Sequence, residues 1–301
     1  MAVQVKAQAF LELVDEDAEL ERLGTGFTFT EGPIWNPEGF LLFSDIPGNT
    51  IYRWSSGDQE ATPYRRPSGH ANGNTLDLQG RLVSCEHSGR RVSVAPIGKE
   101  ALAHTDRFEG KLYNSPNDVV VHSSGAVYFT DPTYGITGAA RGLGEPGAVQ
   151  ELPCQGVYRI APDGRVTRLH DGFSQPNGLA FSPDERVLYV GDSQDKIINR
   201  YDVQADGTLT NEALFVDMSG DERPGAPDGM KVDEAGRLWT TGAGGVWVVE
   251  ADGTVLGQFE TNEHAANLCF GGPDFTTLFL CTRTTISAIE TTVRGIAPGS
   301  R

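Results

Sequence analysis

Two stretches of the chain follow the same pattern: SQPNGLAFSPDERVLYVGDS (residues 174–193) and GAPDGMKVDEAGRLWTTGAG (residues 225–244). In each stretch a proline is followed by an amide or an acid and then by a glycine. An apolar run, a polar turn and a second apolar run come next, which predicts two antiparallel strands joined by a turn. Asn177 and Asp228 occupy equivalent positions, which indicates an internal repeat.

The same pattern occurs six times along the chain. The copies start 39 to 60 residues apart, and most of them are followed by a second apolar hairpin. Their leading residues are Glu31, Asn72, Asn117, Asn177, Asp228 and Asn267. Asp-Gly pairs mark the turns of several second hairpins, at residues 163–164, 206–207 and 252–253. Two hairpins make a four-stranded unit of about 40 to 50 residues, which is the size of a propeller blade.

The repeat therefore predicts an all-β fold, a single six-bladed β-propeller with four-stranded antiparallel blades over residues 26–301. One blade cannot bury both faces of its sheet, whereas six blades stacked around an axis bury them all. Residues 1–25 are expected to form an N-terminal extension, in which DAELERL (17–23) favours a short helix. We expect this extension to close the ring against the last blade. The glycine-rich stretch 133–155 is expected to be a long loop over one face.

The chain is strongly acidic. Its 301 residues include 24 Lys and Arg against 41 Asp and Glu, a net charge of −17. This charge repels nucleic-acid phosphates and anionic membrane surfaces, so we expect neither partner, and colloidal solubility is its simplest role. No apolar run approaches the ~20 residues of a membrane-spanning helix, and no secretory signal is visible. The four cysteines lack metal-binding spacing. We expect a cytoplasmic monomer or homodimer with reduced cysteines.

The six leading residues point to a polar site on the propeller axis. The first strand of each blade lines the central channel, so equivalent residues of six first strands form a ring. Asn-Gly and Asp-Gly are also common turn dipeptides, and a turn alone explains any single pair. Turn chemistry does not explain Glu31, which is a poor turn former, or Asn117 and Asn267, which no glycine follows. Convergence on an axial site explains all six.

Such a ring offers carboxylate and amide oxygens without Cys or His. Hard divalent cations prefer these ligands, Ca²⁺ first and then Mg²⁺ or Mn²⁺. The charges of Glu31 and Asp228 would balance one divalent cation, and without it they would repel each other. The expected cofactor is therefore one divalent cation, with Ca²⁺ favoured and Mg²⁺, Mn²⁺ or Zn²⁺ as alternatives.

No nucleophile or nucleotide motif accompanies the ring. The sequence has no GxSxG, which excludes the α/β-hydrolase route to ester cleavage. It also has no GxxxxGK[ST] and no GxGxxG that follows a strand. A nucleotide cofactor is therefore not supported.

Several stretches taken together resemble one known family. The motifs that carry the resemblance are FTEGPIW (29–35), SPNDVVV (115–121), QPNGLAFSPDE (175–185) and PDGMKVDEAGRLW (227–239). With them, the chain resembles the senescence-marker-protein/gluconolactonase/luciferin-regenerating family over most of its length. GHANGNTLDLQGRLVSCEH (69–87) and YFTDPTYG (128–135) further resemble the bacterial gluconolactonase branch of this family.

The resemblance implies a six-bladed propeller that holds one axial divalent cation and hydrolyses sugar lactones, for example glucono-1,5-lactone to gluconate. Carried over by motif, the metal ligands are Glu31, Asn177 and Asp228. Asn117 is then a fourth ligand or a substrate contact. Some relatives carry an arginine that grips sugar hydroxyls two residues before the asparagine that matches Asn117. This chain has Ser115 there, so the resemblance does not carry that contact over and leaves the preferred lactone open.

A mechanism follows as a hypothesis. The cation would polarise the lactone carbonyl, and Asp228 is the candidate general base, with a metal-bound hydroxide as the alternative base. His70 and His264 precede leading residues and could contact the substrate, although a loop histidine is more often only solvated. Tyr134 could stack on a sugar ring, although it could equally be a packed aromatic. Asn72 completes the candidate substrate-binding residues.

Three acidic or basic residues lie at or just after the ends of second strands, and the sequence assigns them no catalytic or binding role. Glu86 and His87 follow the second strand of the second copy, so we expect them near the opposite end of the channel or in the sheet. Asp131 ends the second strand of the third copy, and we expect it to hold a turn.

Alternative functions remain open at the level of the sequence. A metal-dependent phosphotriesterase would use the same ligands, and an assay of a lactone against an organophosphate separates the two. A non-catalytic propeller that binds a ligand on one face would need an apolar or water-filled axis, against which the acid and amide ring argues. A metal-free propeller of the strictosidine-synthase type has no need for the paired carboxylates of Glu31 and Asp228.

Overall fold

The computed structural model describes residues 3–15, 17–261 and 263–299. Its N-terminal segment contains β1 (Val3–Val5), a 3-10 helix (Gln8–Glu12) and β2 (Glu21–Thr25). Blade 1 consists of β3 (Thr30–Asn36), β4 (Phe40–Asp45), β5 (Thr50–Ser55) and β6 (Thr62–Arg65). Blade 2 consists of β7 (Ala71–Leu76), β8 (Leu82–Glu86), β9 (Arg91–Ala95) and β10 (Leu102–Thr105). A small hairpin follows, with strands β11 (Arg107–Phe108) and β12 (Lys111–Leu112).

The other four blades follow in chain order. Blade 3 consists of β13 (Val119–Val121), β14 (Val127–Asp131), β15 (Gln155–Ile160) and β16 (Val166–Phe173). Blade 4 consists of β17 (Pro176–Phe181), β18 (Val187–Asp192), β19 (Ile197–Val203) and β20 (Leu209–Asp217). Blade 5 consists of β21 (Met230–Val232), β22 (Leu238–Gly242), β23 (Gly245–Val249) and β24 (Val255–Glu260). Blade 6 consists of β25 (Ala265–Gly271), β26 (Thr277–Thr282), β27 (Thr285–Glu290) and, as its outer strand, β2.

These sheets form a closed six-bladed β-propeller. Within each blade, successive strands pair antiparallel from the axis outward. The first strand of each blade packs against the first strand of the next, and β25 packs against β3, which completes the ring. The structure therefore confirms the fold predicted from the repeat, and it places the leading residues around one axis.

The N-terminal segment joins two blades, and its secondary structure differs from the expectation. Its helix lies at Gln8–Glu12, whereas the stretch 17–23, for which the sequence favours a helix, runs into β2. β2 pairs with β27, with Glu21 opposite Ala288, and the first strand, β1, pairs with β24. The unpaired edges of blades 5 and 6 offer backbone partners that a local helix preference cannot match. The two strands of the N-terminal segment therefore extend the sheets of blades 5 and 6.

Each blade buries both of its faces against its neighbours. In β4 the consecutive residues Leu41, Leu42 and Phe43 are all fully buried, although alternate side chains point to opposite faces. Burial of each such side chain contributes roughly 1.5–3 kcal/mol. Trp35 of blade 1 stacks on Phe279 of blade 6, with 5.2 Å between the ring centroids. This contact joins the first and last blades of the ring.

Glycines beside the axis allow the first strands to approach one another. A Cβ atom on Gly32 would lie 2.0 Å from the carbonyl oxygen of Asn72, and one on Gly178 would lie 1.8 Å from that of Asp228. No side chain fits at such distances. Glycine is thus required after these leading residues because the neighbouring first strand lies too close for a side chain. The turn preference of Asn-Gly pairs is not the main reason for glycine at these positions.

A long connection between β14 and β15 covers one end of the axis. It contains the helix α1 (Tyr134–Thr137) and a 3-10 helix (Ala139–Arg141). We call residues 133–143 the 133–143 loop. Among the described residues, no helix has the length and apolar character needed to cross a membrane.

Candidate metal and active site

Irregular pairing aims the leading residues at the axis. In four blades the register between the first and second strands shifts at the leading residue. In blade 1, for example, the shift lies between Glu31 and Ile34, and in blade 4 it lies between Pro176 and Leu179. A bulge of this kind bends the strand and re-aims a side chain. In these four blades the leading side chains therefore leave the regular alternation of the sheet.

An acid at the end of the second strand holds the backbone that enters the first strand. The Asp131 carboxylate accepts hydrogen bonds from the backbone N–H groups of Asn114 and Ser115, both at 2.8 Å. Asp45 and Asp192 accept equivalent bonds from the residues that precede β3 and β17. Burial raises the pKa of Asp131 to about 7. Asp131 therefore holds a turn, as the sequence led us to expect.

The leading residues and the 133–143 loop enclose a cavity of about 230 Å³, which we call the site cavity. Five leading residues line it: Glu31, Asn72, Asn117, Asn177 and Asp228. The sixth, Asn267, is buried beside them, and its Nδ2 donates a hydrogen bond of 2.9 Å to Glu31 Oε2. The structure thus brings all six leading residues together at one end of the axis.

Glu31 and Asp228 form an acidic pair. Glu31 is 2% exposed, and burial raises its pKa to about 7 despite the hydrogen bond from Asn267. Desolvation raises the pKa of Asp228 well above its ordinary value, and the charge of Glu31 raises it further. Two carboxylates in such a place repel each other when both are ionised. A bound cation would relieve this repulsion.

Asp118 is a third carboxylate at the axis, and it is not among the six leading residues of the repeat. Its Oδ1 accepts a hydrogen bond from the Val119 N–H, whereas its Oδ2 is buried without a hydrogen-bond partner among the described residues. The nearby Lys231 ammonium lowers the pKa of both Asp118 and Glu31, against the larger effect of desolvation. A signal was present, because most copies have glycine where the third copy has Asp118.

The donor set fits a hard divalent cation. The three carboxylates and Lys231 leave a formal charge of −2, which one divalent cation neutralises. The Oδ1 of Asn72 is a buried amide oxygen that accepts no hydrogen bond within the described part of the chain. In that same part, no three His, Cys, Asp or Glu side chains form a metal-binding group. A site here must therefore recruit amide oxygens, which the asparagines of the ring carry.

His87 lines the site cavity, a position that the repeat does not predict. Its Nδ1 lies 2.8 Å from the Leu143 carbonyl oxygen and must donate to it, which leaves Nε2 to accept from Asn72 Nδ2 at 3.2 Å. Burial lowers the pKa of His87 to about 4. The prediction that His87 lies near the opposite end of the channel or in the sheet was wrong. The second strand of a blade runs antiparallel to the first, so it returns to the end of the channel where the first strand began. Glu86 ends β8 and pairs with arginines in the sheet.

The other candidate substrate contacts fall into two groups. Tyr134 and His264 line the site cavity, and burial raises the pKa of Tyr134 to about 12. His264 is exposed at the mouth, where its ring lies 6.1 Å from that of Phe29. His70 is not among the residues that line the cavity, and its Nδ1 is hydrogen-bonded to the Ser88 hydroxyl at 2.8 Å.

Ser115 serves the loop rather than the cavity. It is fully buried, its Oγ donates a hydrogen bond to the Pro132 carbonyl oxygen, and the same Oγ accepts one from the Gly135 N–H at 2.9 Å. A Cβ on Gly135 would lie 2.7 Å from the Ser115 Cβ. A longer side chain at position 115 would therefore collide with the 133–143 loop.

Comparisons with known proteins show the family of the chain. Residues 29–284 match the family described as "SMP-30/Gluconolactonase/LRE-like region". The chain is 34% identical to a gluconolactonase of Zymomonas mobilis over 282 residues, which cover 86% of this chain and 78% of that protein. It is 30% identical to the pentonolactonase XacC of Haloferax volcanii over 263 residues, which cover 84% and 80%. A solved gluconolactonase from Xanthomonas campestris superposes with a TM-score of 0.88 at 34% identity, covering 96% and 94%.

Proposed function

Because this chain belongs to the SMP-30/gluconolactonase/LRE-like family, we propose that it is a metal-dependent hydrolase that opens sugar lactones. Its lactone-hydrolysing relatives include a gluconolactonase and a pentonolactonase, so glucono-1,5-lactone is the first substrate to test. The observation that carries the proposal is the pairing of Glu31 with Asp228 in one cavity with the amide side chains of the ring.

The acid and amide residues of the ring would hold the cation. Glu31, Asn177 and Asp228 are the proposed ligands, and Asn117 is a fourth ligand or a substrate contact. Oxygen ligands favour Ca²⁺, with Mg²⁺, Mn²⁺ and Zn²⁺ as alternatives to be tested. When bound, a divalent cation supplies Lewis-acid polarisation of the lactone carbonyl.

The residues of the chain then perform the remaining steps. The Asp228 carboxylate is the proposed general base, which takes the proton that the attacking water loses as its oxygen adds to the ester carbon. When the ring C–O bond of the lactone then breaks, Asp228 returns this proton to the leaving oxygen, which gives the open-chain hydroxy acid. Asn177 is oriented by its own contact, since its Nδ2 donates to the Ser193 hydroxyl at 2.9 Å. Phe29 and Ile46 supply apolar wall to the cavity and exclude water from its sides.

The test is a lactonase assay combined with metal analysis. We expect Asp228→Asn to lower kcat/KM for glucono-1,5-lactone by at least about 100-fold, because it removes the base and one ligand charge. The same substitution at Asp206, an exposed Asp-Gly turn residue, is the matched control and should leave activity and metal content unchanged. An Asp228→Asn protein with full activity and full metal content would contradict the site. Hydrolysis of an organophosphate in preference to the lactone would contradict the substrate class.

A further inference from the structure

Part of the wall of the site cavity comes from the 133–143 loop rather than from the blades. Tyr134, Arg141 and Leu143 line the cavity together with Asn117 and Asn177. The blades supply the acids and amides at the axis, whereas the loop supplies an aromatic ring, a guanidinium group and an aliphatic side chain. The loop is therefore placed to contact the part of a substrate that lies away from the axis.

Contacts at both ends hold the loop in this position. At its start, the Gly135 N–H donates to Ser115 Oγ at 2.9 Å. At its end, the Leu143 carbonyl oxygen accepts from His87 Nδ1 at 2.8 Å. A Cβ on Gly144 would lie 2.2 Å from the Gly135 carbonyl oxygen, so the two ends touch. The loop is therefore a wall of the cavity whose backbone is held at both ends.

Among the described residues that line the cavity, Arg141 is the one Lys or Arg. Its guanidinium group makes no hydrogen bond or ion pair with any part of the chain that the structure describes. Arg90 is a contrast, because its Nε donates to the Tyr113 carbonyl oxygen at 2.6 Å and its Nη1 lies 3.4 Å from Glu151. The donors of Arg141 are thus available to a bound molecule.

The chemistry of Arg141 suits a polyhydroxylated ligand. A guanidinium group presents five N–H donors in a planar fork, which can span two neighbouring oxygens. On the basis of the proposed function, we propose that Arg141 determines specificity by donating hydrogen bonds to the hydroxyl groups of the sugar lactone. Tyr134 and Leu143 pack against the carbon skeleton, while the acid and amide ring holds the ester end.

The experiment compares two lactones with the same ring size. Glucono-1,5-lactone carries hydroxyl groups, and δ-valerolactone carries none. We expect Arg141→Met to lower kcat/KM for glucono-1,5-lactone by about 10- to 100-fold, mainly through KM, because hydrogen bonds to a charged donor are lost. For δ-valerolactone, kcat/KM should stay within about twofold of wild type. For glucono-1,5-lactone, the kcat/KM of Arg141→Lys should lie between those of wild type and Arg141→Met, because lysine keeps the charge and loses the planar fork of donors.

A control variant and three outcomes make the test decisive. Arg186→Met removes an exposed arginine from the turn between β17 and β18, at the opposite end of the propeller, and should change neither lactone. If Arg141→Met affects both lactones equally, or affects neither, the specificity role is overturned while the lactonase function stands. If the wild-type protein hydrolyses neither lactone, the proposed function itself fails, and the role of Arg141 fails with it.

Discussion

Gly178 shows how a single residue controls the spacing of the blades. It follows a proposed metal ligand, and its missing side chain leaves room for the Asp228 carbonyl oxygen of the next blade. The two strands could not both keep their positions if a methyl group stood between them. The same residue therefore fixes the distance between Asn177 and Asp228, which both line the site cavity.

Replacement of this glycine should be costly. We expect Gly178→Ala to lower the free energy of unfolding by about 3 kcal/mol or more, because the new Cβ overlaps backbone that cannot rotate away. Denaturant titration of the purified variant measures the change. Gly220→Ala is the matched control, because nothing lies within 4 Å of a Cβ built there. Equal stability of the two variants would show that the blades can separate at little cost.

His87 links protonation to stability. Its pKa is about 4 in the folded protein and near 6.5 in a solvated chain, so the unfolded state binds the extra proton between these values. Stability contributed by the neutral imidazole is complete above about pH 6.5 and is lost as the pH falls towards 4. The full loss is of order 3 kcal/mol.

The variant His87→Gln isolates this contribution. Its stability relative to wild type at pH 8 reports the lost packing and hydrogen bonds, because the histidine is neutral in both states there. Between pH 6.5 and 4.5 we expect the deficit of the variant to shrink by about 2 kcal/mol, since glutamine does not titrate. Unfolding curves at both pH values provide the measurement. Parallel losses of stability in the two proteins would contradict a buried neutral His87.

At the scale of the element, the second hairpins and first strands were predictable, whereas the N-terminal strand was not. Alternation and turn dipeptides within about 20 residues predict each hairpin of a blade. β2 has no such partner nearby, because it pairs with β27 some 260 residues away. The stretch DAELERL (17–23), which runs into β2, is compatible with a helix, and only the open edge of blade 6 selects the strand.

The same contrast explains which residues at the cavity the repeat predicts. Glu31, Asn177 and Asp228 repeat at one phase of the pattern, so the sequence alone groups them. Asp118 and His87 lie one residue beyond a leading position and one beyond a second strand. Their place at the axis depends on bulges and on strand lengths, which the pattern does not specify.

At the scale of the molecule, the ring places buried carboxylates close together. Their mutual repulsion would destabilise the folded protein if no cation were bound between them. Removal of the cation should therefore destabilise the entire propeller. At a free-metal concentration 100 times the Kd, binding adds about 2.7 kcal/mol to the stability. For a chain of 301 residues, this corresponds to about 4 °C in Tm.

Thermal unfolding with and without chelator tests this expectation. The wild-type protein should lose about 4 °C when chelator is added and regain it with excess Ca²⁺. Asp228→Asn should melt at the same temperature in both conditions, because one ligand charge is missing. A wild-type Tm that ignores the chelator would count against an axial cation, whatever the activity of the protein.

The closure of blade 6 by β2 also has a consequence for biosynthesis. The ribosome delivers β2 before any blade exists, and it delivers β27, the strand that β2 pairs with, after all the others. Until β27 has been synthesised, β2 lacks its partner strand in the nascent chain. Blades can thus form in succession during translation, but the ring can close only after β27 has emerged from the ribosome.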